Sequence, residues 1–462
     1  MPPQRNRLRA LFLRAGLAVA ASLAPALQAA DYFILPAAAG TGDGSSWVNA
    51  AAPSDWPASV AKLSAGDTLR IGSGTYDKVQ LALTASGRKG APITLLGEDT
   101  GGGLPLFQGS WTKENPASGE IFAKLAIKTG FVTLKNLRFQ NYLAVAVTSG
   151  GNEGITLSGL DAKDVRMGAV FKNSARADDL TTWTRDVLVE NCTFTGFTKS
   201  ALRWEGGNRD FRIVNCHGDA GGKPYATDPF HMIYDIRGDT RKDLPDLIAR
   251  VHDTQITFIG CTARNSWHQP PAGKNYWNGD GFVAENGVSK LTFIDCMAFD
   301  CTDGGWDLKA TEVVFKGCVS FRNKRNYRIW REAKFENCIA GYPVHRGGSG
   351  DSANFGVYGS GGITLDRCTI VGDPTPFGIE IKDGPADAVV VRAKDTLILS
   401  DGASAPATGK QVELLNTPAL PLTGGPQGPV FKITPTQDWD GAGTVFNALP
   451  AYGNAGFRRD AR

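Results

Sequence analysis

The sequence predicts an all-β chain coiled as a right-handed parallel β-helix, a single solenoid closed by an N-terminal cap. Two observations predict it. A strand-like run ending in a polar pair and then cysteine recurs in VLVENCTF, FRIVNCHG, ITFIGCTA, LTFIDCMA, VVFKGCVS, AKFENCIA and ITLDRCTI. The cysteines are 192, 216, 261, 296, 318, 338 and 368, and the earlier VTLKNLRF and ITLSGLDA place Leu137 and Leu160 in the same slot. Leucine in place of cysteine marks the slot as apolar and inward-facing. The intervals along this series are 23, 32, 24, 45, 35, 22, 20 and 30 residues. A minimum near one coil, with longer values where a loop is inserted, is a solenoid signature. The second observation is a further strand before the cysteine, read as GFVAE, GWDLK, NYRIW and NFGVY. Two or three short strands per coil with no helical period fit stacked parallel strands about 4.8 Å apart.

The elements follow in chain order. Residues 1–30 carry Arg5, Arg7, Arg9 and Arg14 with no acid, then an apolar run from Ala15 to Ala24 and a small-residue end near Ala30. That is a secretory signal pattern, and its apolar run is short for a membrane span. The expected location is therefore secreted or periplasmic, with no membrane span after removal of the signal. The full chain has 49 basic and 46 acidic residues, and the leader takes four basic ones, so the remainder is close to neutral. Attraction to an anionic partner must then come from a local patch. Residues 31–80 contain an amphipathic piece, Trp56 to Leu63, suited to closing an open coil. Residues 31–462 are read as one catalytic β-helix, with terminal coils and a Pro/Gly/Ala-rich tail over 384–462. Eight cysteines in an exported chain suggest disulfides, but the ladder context favours buried thiols. Cys301 stands outside the ladder.

The chemistry concentrates in NGDGF, CTDGGWDLK and FRNKRNYRIWREAK. The aromatics Phe282, Trp306, Tyr327 and Phe355 recur one coil apart. If they point inward, alternation turns the next residues outward in one column: Val283, Asp307, Arg328 and Gly356. Asp280 and Asp303 sit at the preceding turn. Three converging carboxylates repel unless neutralised. A hard cation such as Ca²⁺, which takes oxygen ligands, would do this. An acidic ladder bridged to the next coil's arginines would do it too. The basic stretch offers Lys324, Arg325, Arg331 and Trp330 as substrate-binding residues for an acidic polysaccharide, since arginine forks match carboxylates. Nucleic acid is not expected, because the patch is local. His268 and His345, lone histidines in loops, read as ordinary surface residues.

NGDGF followed by TDGGWD resembles the family 9 polysaccharide lyases of the pectate lyase L type, by motif over roughly 250–345 and by architecture over the chain. The resemblance implies that Asp280, Asp303 and Asp307 hold Ca²⁺. Gly304 stands where a further aspartate ligand is expected, and Arg328 stands at the position of the catalytic base. An arginine base needs its pKa lowered by about five units, or roughly 7 kcal/mol. Arg325, Arg331 and Lys324 are expected to supply part of that, and Lys309 is the second candidate base. The implied activity is calcium-assisted β-elimination on a uronic-acid polysaccharide, pectate-like or a bacterial exopolysaccharide, by a monomer. A β-helix epimerase, a glycoside hydrolase and a non-catalytic carbohydrate-binding or adhesin-like solenoid remain as alternatives.

Overall fold

The computed structural model describes residues 29–173, 179–222, 231–238, 252–268, 270, 275–359, 361–372, 377–382, 389–400, 411–417 and 419–420. Most of the expected signal segment, and most of the tail after 384, lie outside the described residues.

Each coil between the two ends contributes three short strands. Among the described residues these build three parallel sheets of 14, 13 and 11 strands. The fold is a parallel β-helix, as the repeat predicts, with three strands per coil. One long sheet runs from Asp31–Ile34 to Val412–Leu415, and its strands end at the ladder slot. A second runs from Thr75–Asp77 to Ala419–Leu420. The third, from Leu81–Leu83 to Phe377–Lys382, carries the candidate site on its outer face.

The polar residue before each ladder slot has a backbone reason. Asn191, Asn215, Gly260, Asp295, Gly317 and Asn337 adopt φ between 50° and 62°. This left-handed conformation turns the chain from one sheet to the next, and Gly, Asn and Asp tolerate it best. The following cysteine then points inward. All eight cysteines are buried and free. Thiols in the ladder donate to carbonyls of the coil before, as Cys261 Sγ does to Ile213 O at 3.3 Å and Cys318 Sγ to Phe293 O at 3.4 Å.

Aromatic stacks hold the central coils in register. Phe258, Phe293, Phe315 and Phe335 form one stack, with centroids 5.2, 5.0 and 4.3 Å apart. Tyr234, Phe282, Trp306, Tyr327 and Phe355 form another, at 4.8, 4.8, 4.8 and 5.0 Å. The two meet edge to face, as Trp306 does with Phe315 at 5.7 Å. Each such pair contributes about 0.5–1.5 kcal/mol beyond area burial. Near the N-terminal end, the helix Trp56–Lys62 buries Trp56, Ser59 and Val60, spaced to share one face. Trp56 packs on Tyr76 and Phe107.

Candidate functional site

Five neighbouring strands build the site: Gly279–Ala284, Gly304–Leu308, Arg325–Ile329, Ala353–Tyr358 and Phe377–Lys382. Their register pairs Phe282 with Trp306, Trp306 with Tyr327, and Tyr327 with Phe355. These rings anchor the strands inside. The next residues form the outward column: Val283, Asp307, Arg328, Gly356 and Glu380. Two residues further along, the same alternation turns Lys309, Trp330, Tyr358 and Lys382 outward.

The structure brings the three predicted aspartates together. Asp280, Asp303 and Asp307 each offer an oxygen within 4.8 Å of the others. Asp280 and Asp303 are 1% and 3% exposed, so their charges sit out of water. Burial raises the Asp280 pKa well above the ordinary carboxylate value, and repulsion from Asp303 and Asp307 adds to it. Burial and Asp307 also raise Asp303, against the pull of Arg328 and Arg325. Asp280 Oδ1 accepts from the Gly304 N–H, whereas its buried Oδ2 has no hydrogen-bond partner. A convergent set of hard oxygens with one orphaned acceptor fits a divalent cation.

Arginine also reaches the same oxygens. Arg325 Nη1 lies 3.1 Å from Asp303 Oδ1, and Arg328 Nη1 bridges Asp303 Oδ2 at 3.3 Å and Asp307 Oδ2 at 3.1 Å. Trp330 Nε1 donates to Asp307 Oδ1 at 2.6 Å. The Arg328 guanidinium carbon lies 4.7 Å from the Trp330 ring centre and 5.0 Å from that of Tyr358. Burial disfavours the charge on Arg328, but Asp307 and Asp303 outweigh it and hold its pKa above the usual arginine value. The basic stretch in the sequence predicts cations that depress this group. The register instead surrounds it with carboxylates, which raise it.

The other predicted residues separate. Lys324 turns aside: its Nζ donates to Gly347 O at 3.1 Å and Ser349 O at 2.6 Å. Burial lowers its pKa. Arg325 is buried between Asp303 and Glu380, whose Oε2 lies 3.5 Å from Arg325 Nε. Arg331 is exposed at the bend after the strand, with no ion pair among the described residues. Lys309 stays on the outer face, where its Nζ pairs with Glu285 and lies 5.7 Å from the Trp330 ring centre.

Two loops flank the carboxylates. Ser349 N–H donates to Asn275 O at 2.8 Å, and Trp277 packs on Gly347 and Gly348 so closely that a Cβ on either would lie under 3.0 Å from it. His268 is not the surface residue that the sequence suggests: it is buried, and its Nδ1 accepts from the Asn278 N–H at 2.8 Å, two residues before Asp280. Burial lowers the His268 pKa, which favours that neutral acceptor. Sequence reasoning missed three residues. Tyr276 has its pKa pushed up to about 12 by partial burial and by Asp280, Asp303 and Asp307. Tyr358 donates to Glu380 Oε2 at 3.1 Å, and Glu380 also pairs with Lys382 Nζ at 2.7 Å. The signal for Tyr358 was present: it follows Phe355 as Trp330 follows Tyr327.

No family model and no curated protein sequence matches the chain. Similar solved structures include a "pectate lyase Pel9A", with 15% identity over 94% of this chain and 90% of its own, TM-score 0.40. A "rhamnogalacturonan lyase" has 14% identity over 94% and 97%, TM-score 0.42. A lacto-N-biosidase from Eubacterium ramulus has 11% identity over 85% and 67%, TM-score 0.46. At these values the likenesses carry no argument about the site, which rests on its own geometry.

Proposed function

We propose that the chain is an exported polysaccharide lyase that cleaves a uronic-acid polysaccharide by β-elimination, with calcium held by Asp280, Asp303 and Asp307. Residues 1–30 are its removable leader and 31–462 its catalytic solenoid. The observation that carries the reading is the convergence of three carboxylates, one with an orphaned buried oxygen, beside Arg328, Trp330 and Lys309 on one outer face.

A bound calcium ion supplies electrostatic stabilisation for charge developing on the uronate carboxylate. The chain's own residues do the rest. Arg328, held protonated and close to two contacting rings, matches a carboxylate with its planar fork. Neutralising that carboxylate acidifies the adjacent C5 proton. Trp330 offers a ring face for the sugar. Lys309, on the same outer face, would accept the C5 proton in its neutral form; Arg328, held protonated by Asp303 and Asp307, is not the base that the sequence suggests. The C4–O bond then breaks, its electron pair leaves with the glycosidic oxygen, which takes up a proton, and a C4=C5 double bond remains.

The test is the ultraviolet absorbance of that double bond. The protein is incubated with a panel of uronate polymers, with calcium or with chelator. Calcium-dependent absorbance is expected, lost in Lys309→Ala if Lys309 is the base. Activity that survives Lys309→Ala removes Lys309 as the base, and loss in Arg328→Ala is expected either way because that group neutralises the uronate carboxylate. A folded protein that binds these polymers without producing absorbance overturns the lyase reading in favour of a carbohydrate-binding solenoid.

A further inference from the structure

Five of the six oxygens of the carboxylate cluster are already engaged. Asp280 Oδ1 accepts from Gly304, Asp303 Oδ1 from Arg325, Asp303 Oδ2 and Asp307 Oδ2 from Arg328, and Asp307 Oδ1 from Trp330. Asp280 Oδ2 alone has no partner. Calcium takes about 6–8 oxygen ligands, and a carboxylate oxygen that accepts one hydrogen bond keeps a second lone pair for it. The charged donor is what competes: Arg328 Nη1 holds Asp303 Oδ2 and Asp307 Oδ2 together. Asp303 Oδ1 is held by Arg325 and Asp307 Oδ1 by Trp330, so a cation shared by all three aspartates competes with Arg328 for the remaining Oδ2 atoms. Two positive groups a few ångströms apart in this buried place also repel strongly.

From this we infer that Arg328 is a built-in counter-ion, and that Arg328 and a divalent cation are alternative occupants of the Asp303 and Asp307 carboxylates. Cation binding breaks the bridges at 3.3 and 3.1 Å and releases the guanidinium. The released group keeps a partner. The Trp330 and Tyr358 ring centres lie 4.7 and 5.0 Å from its guanidinium carbon, and this cation–π attraction does not depend on the carboxylates. Without its two aspartates the guanidinium lacks an anion, and the carboxylate of an acidic sugar supplies one. Calcium and an acidic ligand therefore help each other bind, because each removes a cost that the other meets alone. This deepens the proposed function and rests on its metal site.

The test is calcium titration calorimetry without polymer, on the purified protein, Arg328→Ala, and Arg328→Gln as the better-filled neutral variant. Both variants are expected to bind calcium at least tenfold more tightly than the parent. Trp330→Phe frees an oxygen of Asp307 and leaves every charge in place, and is expected to change affinity by less than about threefold. Pectate oligomer is then added to each at saturation: the parent's calcium affinity rises by several-fold, and that of Arg328→Gln does not. Calcium affinity that is equal in all proteins, or lower in the Arg328 variants, overturns the inference while leaving the metal site standing. No calcium binding by any of them overturns the inference and the metal reading together. Tighter binding by the variants with no absorbance on any polymer supports the counter-ion and removes the lyase.

Discussion

Arg325 is best tested as a structural ion. Its side chain is 6% exposed and lies between Asp303 at 3.1 Å and Glu380 at 3.5 Å, themselves 4% and 5% exposed. Replacing it by methionine keeps much of the volume and strands two buried carboxylates. Breaking a buried ion pair from one side costs about 3–5 kcal/mol. Here each acid keeps other partners: Asp303 keeps Arg328, and Glu380 keeps Lys382 and the Tyr358 hydroxyl. The low end, about 3 kcal/mol, is therefore expected, a large part of the roughly 5–15 kcal/mol typical of a domain. Urea unfolding followed by tryptophan fluorescence measures it. Arg325→Lys should recover little, because a point charge cannot serve both carboxylates as the planar fork does. A cycle with Glu380→Gln should show coupling of about 1–3 kcal/mol. A loss below about 1 kcal/mol in Arg325→Met, together with weakened polymer binding, would refute the structural role and return Arg325 to the substrate contacts expected from sequence.

Three further outcomes are expected. His231 is buried with its pKa pushed down to about 3, mainly by burial, so its neutral form is the folded one. Its contribution is fully present above pH 6.5 and is lost as pH falls toward 3, at up to about 1.4 kcal/mol per unit. The difference in pH-dependent stability between the parent and His231→Leu isolates this slope from the acids, whose raised pKa values act in the opposite direction. Gly304→Asp should not restore a fourth ligand, because a Cβ there lies 2.9 Å from Trp306 O and 3.0 Å from Asp280 Oδ1. A stability loss of about 1–3 kcal/mol with no gain in calcium affinity is expected from thermal unfolding and calorimetry. The eight buried cysteines should react with a thiol reagent only as fast as the protein unfolds, and fast labelling of the native protein would contradict their packing.

The parts of the site that sequence revealed are those fixed by the coil. Strand alternation is rigid, so an inward column of Phe282, Trp306, Tyr327 and Phe355 obliges Asp307 and Arg328 to stand side by side outside. The polar–Cys slot is equally forced, because the residue before it must accept a left-handed backbone. Side-chain direction at corners is not forced in this way. Lys324 and Arg325 are adjacent in sequence, yet one turns to the carbonyls of Gly347 and Ser349 and the other to Asp303. That choice is made by the loop carrying Gly347–Ser349, which arrives from the next coil. A local stretch of basic residues contains no information about it. The same reasoning explains Arg328. Counting cations along FRNKRNYRIWREAK suggests a group under positive pressure, whereas its true neighbours come from one coil earlier and are acidic. In a solenoid the residues 20-odd positions away set the electrostatics, and the residues next in the chain face elsewhere. The positive stretch and the acidic cluster are thus two sides of one neutralised site, and its chemistry depends on what separates them.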